Sequence, residues 1–137
     1  NWFERMTKRD QAEKTLVVEV RDGDGWKMIG NCGVFDIDPV NRSGELGIML
    51  DEKDEWNKGY GTEAMILLVR HCFETLNLNR AYLRVYAENL RAKRSYEKAG
   101  FVEEGRLREG VYKHGKYDDV IVMSILHSEW IVRKKDK

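Results

Sequence analysis

Two glycines, Gly59 and Gly61, divide the chain into two regimes of hydrophobic patterning. Ahead of them the apolar residues fall in short β-branched or alternating runs. Behind them Ala64, Leu68 and Cys72 lie beside Met65, Val69, Phe73 and Leu76 at spacings of three and four. The first pattern is that of strands, the second that of one wide helical stripe. A chain that changes period at a glycine turn has a sheet and a helix to pack together. One mixed, twisted α+β sheet with helices laid on it is the economical architecture.

The rest of the chain extends that pattern. Residues 14–21 are β-branched and read as a strand, and Asp22-Gly23-Asp24-Gly25 follows as a hairpin turn. A longer strand over 26–38 carries Gly30 and Gly33 as bulge or close-approach positions, and Pro39 stops it. Residues 45–50 complete an antiparallel meander. After the helix, 80–86 alternates as a strand, Asn89 caps a second helix running to Ala99, and Gly100 closes it. A strand from Phe101, a turn at Lys113-His114-Gly115-Lys116 and a strand through residue 126 finish the order β-β-β-α-β-α-β-β. Residues 45–86 form a right-handed crossover candidate. At the two ends, residues 1–6 read as the last turns of an amphipathic helix, and residues 133–137 as a solvated, frayed tail.

A length of 137 residues fits one domain over 1–137, and 42% hydrophobic content is enough to fold it. Twenty-four basic residues balance 24 acidic ones, so no global field points to nucleic acid. No apolar run approaches a membrane span of about 18 residues. Cys32 and Cys72 are isolated thiols, read as reduced packing residues of a cytoplasmic protein. His71, His114 and His127 have no metal-ligand spacing, and no metal is expected.

The turn itself can hold an anion. In Asn57-Lys58-Gly59-Tyr60-Gly61-Thr62 the glycines let backbone N–H groups converge, the helix dipole adds about half a positive charge, and Lys58 adds a point charge. A tight turn would need the same glycines for shape alone. Gly59-x-Gly61-x-x-Ala64 formally fits a dinucleotide fingerprint, but the polar stretch 51–55 separates it from its strand and the preceding strands form a meander. The P-loop sequence is absent.

Two motifs together carry a resemblance. Trp56-x-x-Gly59-x-Gly61 matches the cofactor motif Arg/Gln-x-x-Gly-x-Gly/Ala, with tryptophan in place of its polar first residue. Asn89-x-x-Ala92-x-x-x-Tyr96-x-Lys98-x-Gly100-Phe101 matches a second element, and Glu104-Gly105 with the hairpin at Tyr112–Asp118 matches a third. Over about residues 12–130 the chain resembles the GNAT N-acetyltransferase superfamily, and within it the ribosomal-protein and spermidine N-acetyltransferase-like branch. That fold starts with a strand and helix ahead of Asn1, so the resemblance implies an N-terminally truncated domain whose acceptor wall is incomplete or comes from another chain. A homo-oligomer, in the simplest case a dimer, is expected.

The resemblance implies acetyl-CoA as acetyl donor and an amine as acceptor. The strand at 45–50 would splay from that at 80–86, with Gly47 as the bulge that starts the splay. The pantetheine arm would then pair with the backbone of Ile48, Met49 and Leu50, and an N–H near Met49 would polarise the thioester carbonyl. The pyrophosphate would rest on residues 57–62, through backbone N–H groups given Trp56. Asn89 would bond the pantetheine as well as cap its helix, Arg94 would contact phosphate, and Tyr96 would donate a proton to the departing thiolate. A lysine-like amine is about 3.4 pKa units from neutrality at pH 7, a gap of about 4.6 kcal/mol, so a base is useful; Glu45 is the candidate. A polyamine acceptor would favour an acidic funnel, for which Asp51, Glu52, Asp54, Glu55, Glu103, Glu104, Asp118 and Asp119 are available. A protein N-terminus or small amine would need less charge. The reading from a different class is a non-catalytic acyl-CoA-binding or assembly domain.

Overall fold

The alternating and β-branched runs pair into one seven-stranded sheet, and the 3.6-residue stripes cover one of its faces. The computed structural model describes residues 4–10, 15–50 and 59–135. Strands β1 (Glu4–Asp10), β2 (Thr15–Asp22), β3 (Gly25–Asp38) and β4 (Ser43–Leu50) form an antiparallel meander. Helix α1 (Tyr60–Arg70) crosses to β5 (Arg80–Tyr86), which pairs parallel to β4. Helix α2 (Leu90–Lys98), strands β6 (Val102–Lys113) and β7 (Lys116–Leu126), and helix α3 (His127–Lys135) follow. The sheet order is β1-β2-β3-β4-β5-β7-β6. The α+β expectation holds, with an extra strand at the start and an extra helix at the end.

Both additions correct the sequence reading. Residues 1–6 were expected to be helical, yet Glu4–Asp10 is strand β1, with Glu4 opposite Val20 and Lys8 opposite Leu16. Strand β2 buries Leu16, Val18 and Val20 on its inner face and leaves a free edge. Pairing that edge satisfies a row of backbone donors and acceptors, which outweighs a short helical pattern. Residues 133–135 of the tail expected to fray are instead the end of α3, and 136–137 lie outside the described residues. Trp130 packs against Phe73 with ring centroids 5.4 Å apart, Lys134 meets Glu74 at 2.8 Å, and Arg133 donates to the Lys98 carbonyl.

Helix α1 does not end at Arg70 but widens into a π-helical turn, His71–Thr75, in which the Leu76 N–H bonds back to the His71 carbonyl. Cys72 and Phe73 on this turn are buried. Asn77, with φ 57°, breaks the helix, and Arg42 straps the break to the β3–β4 turn through the Asn77 carbonyl (2.9 Å) and Oδ1 (3.0 Å). The Arg42 carbonyl in turn accepts from the N–H groups of Asn79 and Arg80. These bonds fix where β5 starts relative to β4.

The buried side chains form one cluster. Met65, Leu68, Val69 and Cys72 of α1 and its π turn, with Ala92 and Tyr96 of α2, meet Leu46, Ala81, Leu83 and Val85 of the central strands. Gly30 is a close-approach position beside a register shift in β2–β3. A Cβ there would fall 2.0 Å from the Met49 carbonyl oxygen and 2.8 Å from the Leu50 Cα. Both neighbours are backbone, so neither can swing aside. Gly30→Ala should therefore destabilise the fold by about 1–3 kcal/mol, seen as a lower denaturant midpoint with an unchanged slope. A midpoint equal to that of the unsubstituted protein would contradict this packing.

Candidate active site

Strands β4 and β5 run parallel, so a helix following each must begin at the same end of the sheet. Their ladder contains only three partner pairs, Ser43 with Arg80, Gly44 with Ala81 and Glu45 with Tyr82. Beyond Glu45, β4 continues to Leu50 paired only with β3, while β5 continues to Tyr86 paired only with β7. The strands therefore part, and alternate residues of β4 after Glu45 turn their N–H and C=O groups into the opening. Ile48 and Leu50 are half-buried against the core and Met49 is exposed. The expected bulge at Gly47 is not the cause. Gly47 stays in register with Gly33, and both lie under the Phe35 ring, where a Cβ on Gly47 would approach it to 2.9 Å. Glycine is needed there for the ring, and the parting begins two residues earlier.

The two helix N-termini flank this opening. Gly59 caps α1 in the left-handed region, φ 85°, with no side-chain hydrogen bond. A Cβ built on it would meet nothing within 4 Å among the described residues. The Gly59 carbonyl accepts from the Glu63 N–H, while the first-turn N–H groups, including those of Gly61 and Thr62, have no acceptor within the helix. Tyr60 and Gly61 are buried and Thr62 is half-buried. Those N–H donors fit an anionic group such as a pyrophosphate. Asn57, Lys58 and Trp56 lie outside the described residues.

Asn89 caps α2 through its Oδ1, which accepts from the Ala92 N–H at 3.2 Å. Asn89 and Tyr96 line one cavity of about 400 Å³, together with Arg84, Tyr86, Ala92 and Gly110. The loop that aims Asn89 is tied to the start of β7. The Glu88 N–H donates to Asp118 Oδ2 at 3.2 Å and the Ala87 N–H to the Asp119 carbonyl at 2.9 Å. Arg94 is exposed on α2.

Tyr96 is 8% exposed, with its ring 6.2 Å from that of Phe101. Burial pushes its phenol up to about 12. Glu45 lies on the opposite sheet face from the helices, and both its oxygens are taken. Arg84 donates from Nε at 2.7 Å and from Nη2 at 3.1 Å. This pair raises the Arg84 pKa, first through the hydrogen bond to Glu45 and then through its charge.

Among the described residues, the acids named for a funnel, Glu103, Glu104, Asp118 and Asp119, each have partners of their own. Glu103 is held below the usual carboxylate range by Lys93 at 2.8 Å, and Glu104 by Arg80 at 2.6 Å with help from Ser124. Asp119 is lowered first by the Glu109 N–H and then by Arg106. Asp118 accepts from backbone N–H groups. Asp51, Glu52, Asp54 and Glu55 lie outside the described residues. Among the described residues no cluster of His, Cys, Asp or Glu is arranged to hold a metal ion, and no helix is long and apolar enough to cross a membrane.

Sequence reasoning missed Arg84 as a site residue. Its one signal was the alternation Arg80-x-Tyr82-x-Arg84-x-Tyr86, which puts four polar or aromatic side chains on one face; the partner 39 residues away left no local trace.

Comparison with known proteins shows the family. The family model described as "Acetyltransferase (GNAT) domain" matches residues 1–102. The chain is 36% identical over 127 residues to the spermidine N(1)-acetyltransferase of Vibrio cholerae, covering 92% of this chain and 70% of that protein. It is 34% identical over 103 residues to YdaF of Bacillus subtilis, named provisionally as a ribosomal N-acetyltransferase, covering 75% of this chain and 56% of that one. Among solved structures, the Vibrio cholerae spermidine N-acetyltransferase in complex with CoA and spermine superposes with a TM-score of 0.77 at 32% identity, over 88% of this chain and 70% of that one. A dodecameric structure of the enzyme from that organism gives 0.77 at 33% identity, over 88% and 69%.

The Tyr96 shift has a testable sign. Its folded pKa lies above the ordinary value of 10.0, so its contribution to stability is fully present below pH 10 and is lost as pH rises through about 12. In a native-state alkaline titration followed by phenolate absorbance, one of the six tyrosines should ionise late. Tyr96→Phe should remove that late component; its persistence would assign the buried phenol to another residue.

Proposed function

The chain belongs to the GNAT acetyltransferase family and is an acetyl-CoA-dependent N-acetyltransferase, and on that premise we propose that it moves the acetyl group directly onto a primary amine with both substrates bound at the parting of β4 and β5. The observation that carries this reading is the early end of the β4–β5 ladder at Glu45 and Tyr82, flanked by two helix N-termini. The pyrophosphate takes the N–H groups of Gly59–Thr62, and Asn57 and Lys58 are assigned to it from the sequence motif alone. The pantetheine arm pairs along Ile48, Met49 and Leu50, through the alternate backbone groups that face the opening, as a further strand would. Asn89 adds an amide donor and Arg94 a charge near phosphate. The buried cysteines Cys32 and Cys72, in no disulfide, suit a reducing cytoplasm. Assembly into a homo-oligomer would follow the dodecameric relative.

In this arrangement the amine nitrogen attacks the thioester carbonyl carbon, the new C–N bond forms, and the C–S bond breaks to release CoA thiolate. An N–H of β4 near Met49 supports the charge that gathers on the carbonyl oxygen. Tyr96 serves the leaving sulfur. A phenol at about 12 is about 3.5 units weaker as an acid than a thiol near 8.5, so early, complete transfer would be uphill by about 5 kcal/mol. Tyr96 therefore acts first as a hydrogen-bond donor to the thiolate, and the proton lost by the nitrogen completes the balance. Glu45, held by Arg84, receives the amine's proton directly or through water.

Thiol release from acetyl-CoA across a panel of amines tests the function. The alternative, a non-catalytic acyl-CoA-binding or assembly domain, predicts CoA binding with no release for any amine. Tyr96→Phe should lower kcat by about 10²-fold or more and leave the Kd for CoA nearly unchanged; an unaltered kcat would remove Tyr96 from the reaction. Gly61→Val should abolish CoA binding in a folded protein, and retained affinity would move the pyrophosphate elsewhere.

A further inference from the structure

With the cofactor on the helix N-termini, the acetyltransferase reading puts the acceptor on the sheet face that carries Glu45, Tyr82 and Arg84, away from the helices. A polyamine needs several unmatched carboxylates, one for each cationic nitrogen. On this face Glu45 has given both oxygens to Arg84, and Glu104 has given both to Arg80 at 2.6 and 3.2 Å. Arg84 differs from Arg80 in its position. It reaches from β5 to β4 at the last paired residues, Glu45 and Tyr82, so its guanidinium lies across the point where the strands part. It is also 56% exposed, against 15% for Glu45. An arriving amine therefore meets the cation before it meets the carboxylate.

We propose that Arg84 determines acceptor choice, closing Glu45 to polycationic amines and favouring a single amine followed by carbonyl or carboxylate oxygens, the chemistry of a peptide N-terminus. The inference rests on the acetyltransferase reading and deepens it. Like charges at the mouth oppose a second or third ammonium group. A guanidinium carries five N–H donors, and the Nε and Nη2 contacts to Glu45 leave others for an oxygen next to the reacting amine. Asp36 on β3 lies within electrostatic range of the guanidinium. Removing the cation would thus leave Glu45 without its partner and Asp36 nearby, an arrangement better suited to a polyamine than the present one.

The test compares kcat/KM for spermidine with that for a short peptide bearing a free N-terminus, in the unsubstituted protein and in Arg84→Leu and Arg84→Gln. The unsubstituted protein should prefer the peptide. Both substitutions should shift the spermidine-to-peptide ratio toward spermidine by about tenfold or more, and Arg84→Lys should shift it less. The position is exposed, so the thermal midpoint should change little; if Arg84→Leu fails to fold, Arg84→Gln carries the measurement. A native preference for spermidine, or a ratio that stays constant across the substitutions, overturns the role of Arg84 and leaves the acetyltransferase reading intact. No thiol release with either acceptor, when another amine of the panel is acetylated, overturns this inference alone; no release with any amine sinks that reading and this inference together.

Discussion

The three-pair ladder between β4 and β5 is the constraint on which the other features depend. A parallel pair that ran its full length would consume the backbone donors and acceptors of β4 after Glu45 and close the sheet. Ending it early leaves those groups directed into a gap. The parallel direction brings the starts of α1 and α2 to the same end. What holds the other end shut is the Arg42 strap, which binds the β3–β4 turn to the helix break at Asn77 and to the first residues of β5. Joined at one end and free at the other, the two strands make a wedge.

The two faces of the wedge differ in chemistry because the side chains of a strand alternate. On the helix side, Leu46, Leu83 and Val85 join Tyr96 in a dry environment, and that dryness raises the phenol to about 12. On the far side, Glu45 and Arg84 form a partly exposed ion pair with a bidentate fork. Of the acids that composition offers as a funnel, Glu104, Glu103 and Asp119 are used instead to tie β6 to β5, α2 and β7. An acidic residue count therefore says little about the field at the opening; the pairing of each acid decides it.

Much of the site was legible in the chain. The Gly59 turn, the Asn89 cap and the position of Tyr96 are local features, set by spacing within one turn or helix, and the residue-level geometry matches them. Strand boundaries fell within two residues because turn residues such as Asp22, Gly25 and Pro39 punctuate them. The misread segments share a cause. Strand β1 exists because β2 offers a free edge, and α3 is ordered because Trp130 finds Phe73 on the π turn. Neither partner is near in sequence.

The sequence by itself determined which segments become strands and helices and which residues cap them, since these follow from period, branching and backbone freedom within a few residues. Tertiary structure alone decided where the β4–β5 ladder stops, that Gly47 serves the Phe35 ring and not the splay, and that Glu45 meets Arg84 across 39 positions. Those outcomes depend on how strands twist and on which side chains come to share a face. The physical reason is range: hydrogen bonds within a turn are encoded by neighbours, whereas the end of a ladder and the partner of a charge are set by chain segments brought together only on folding.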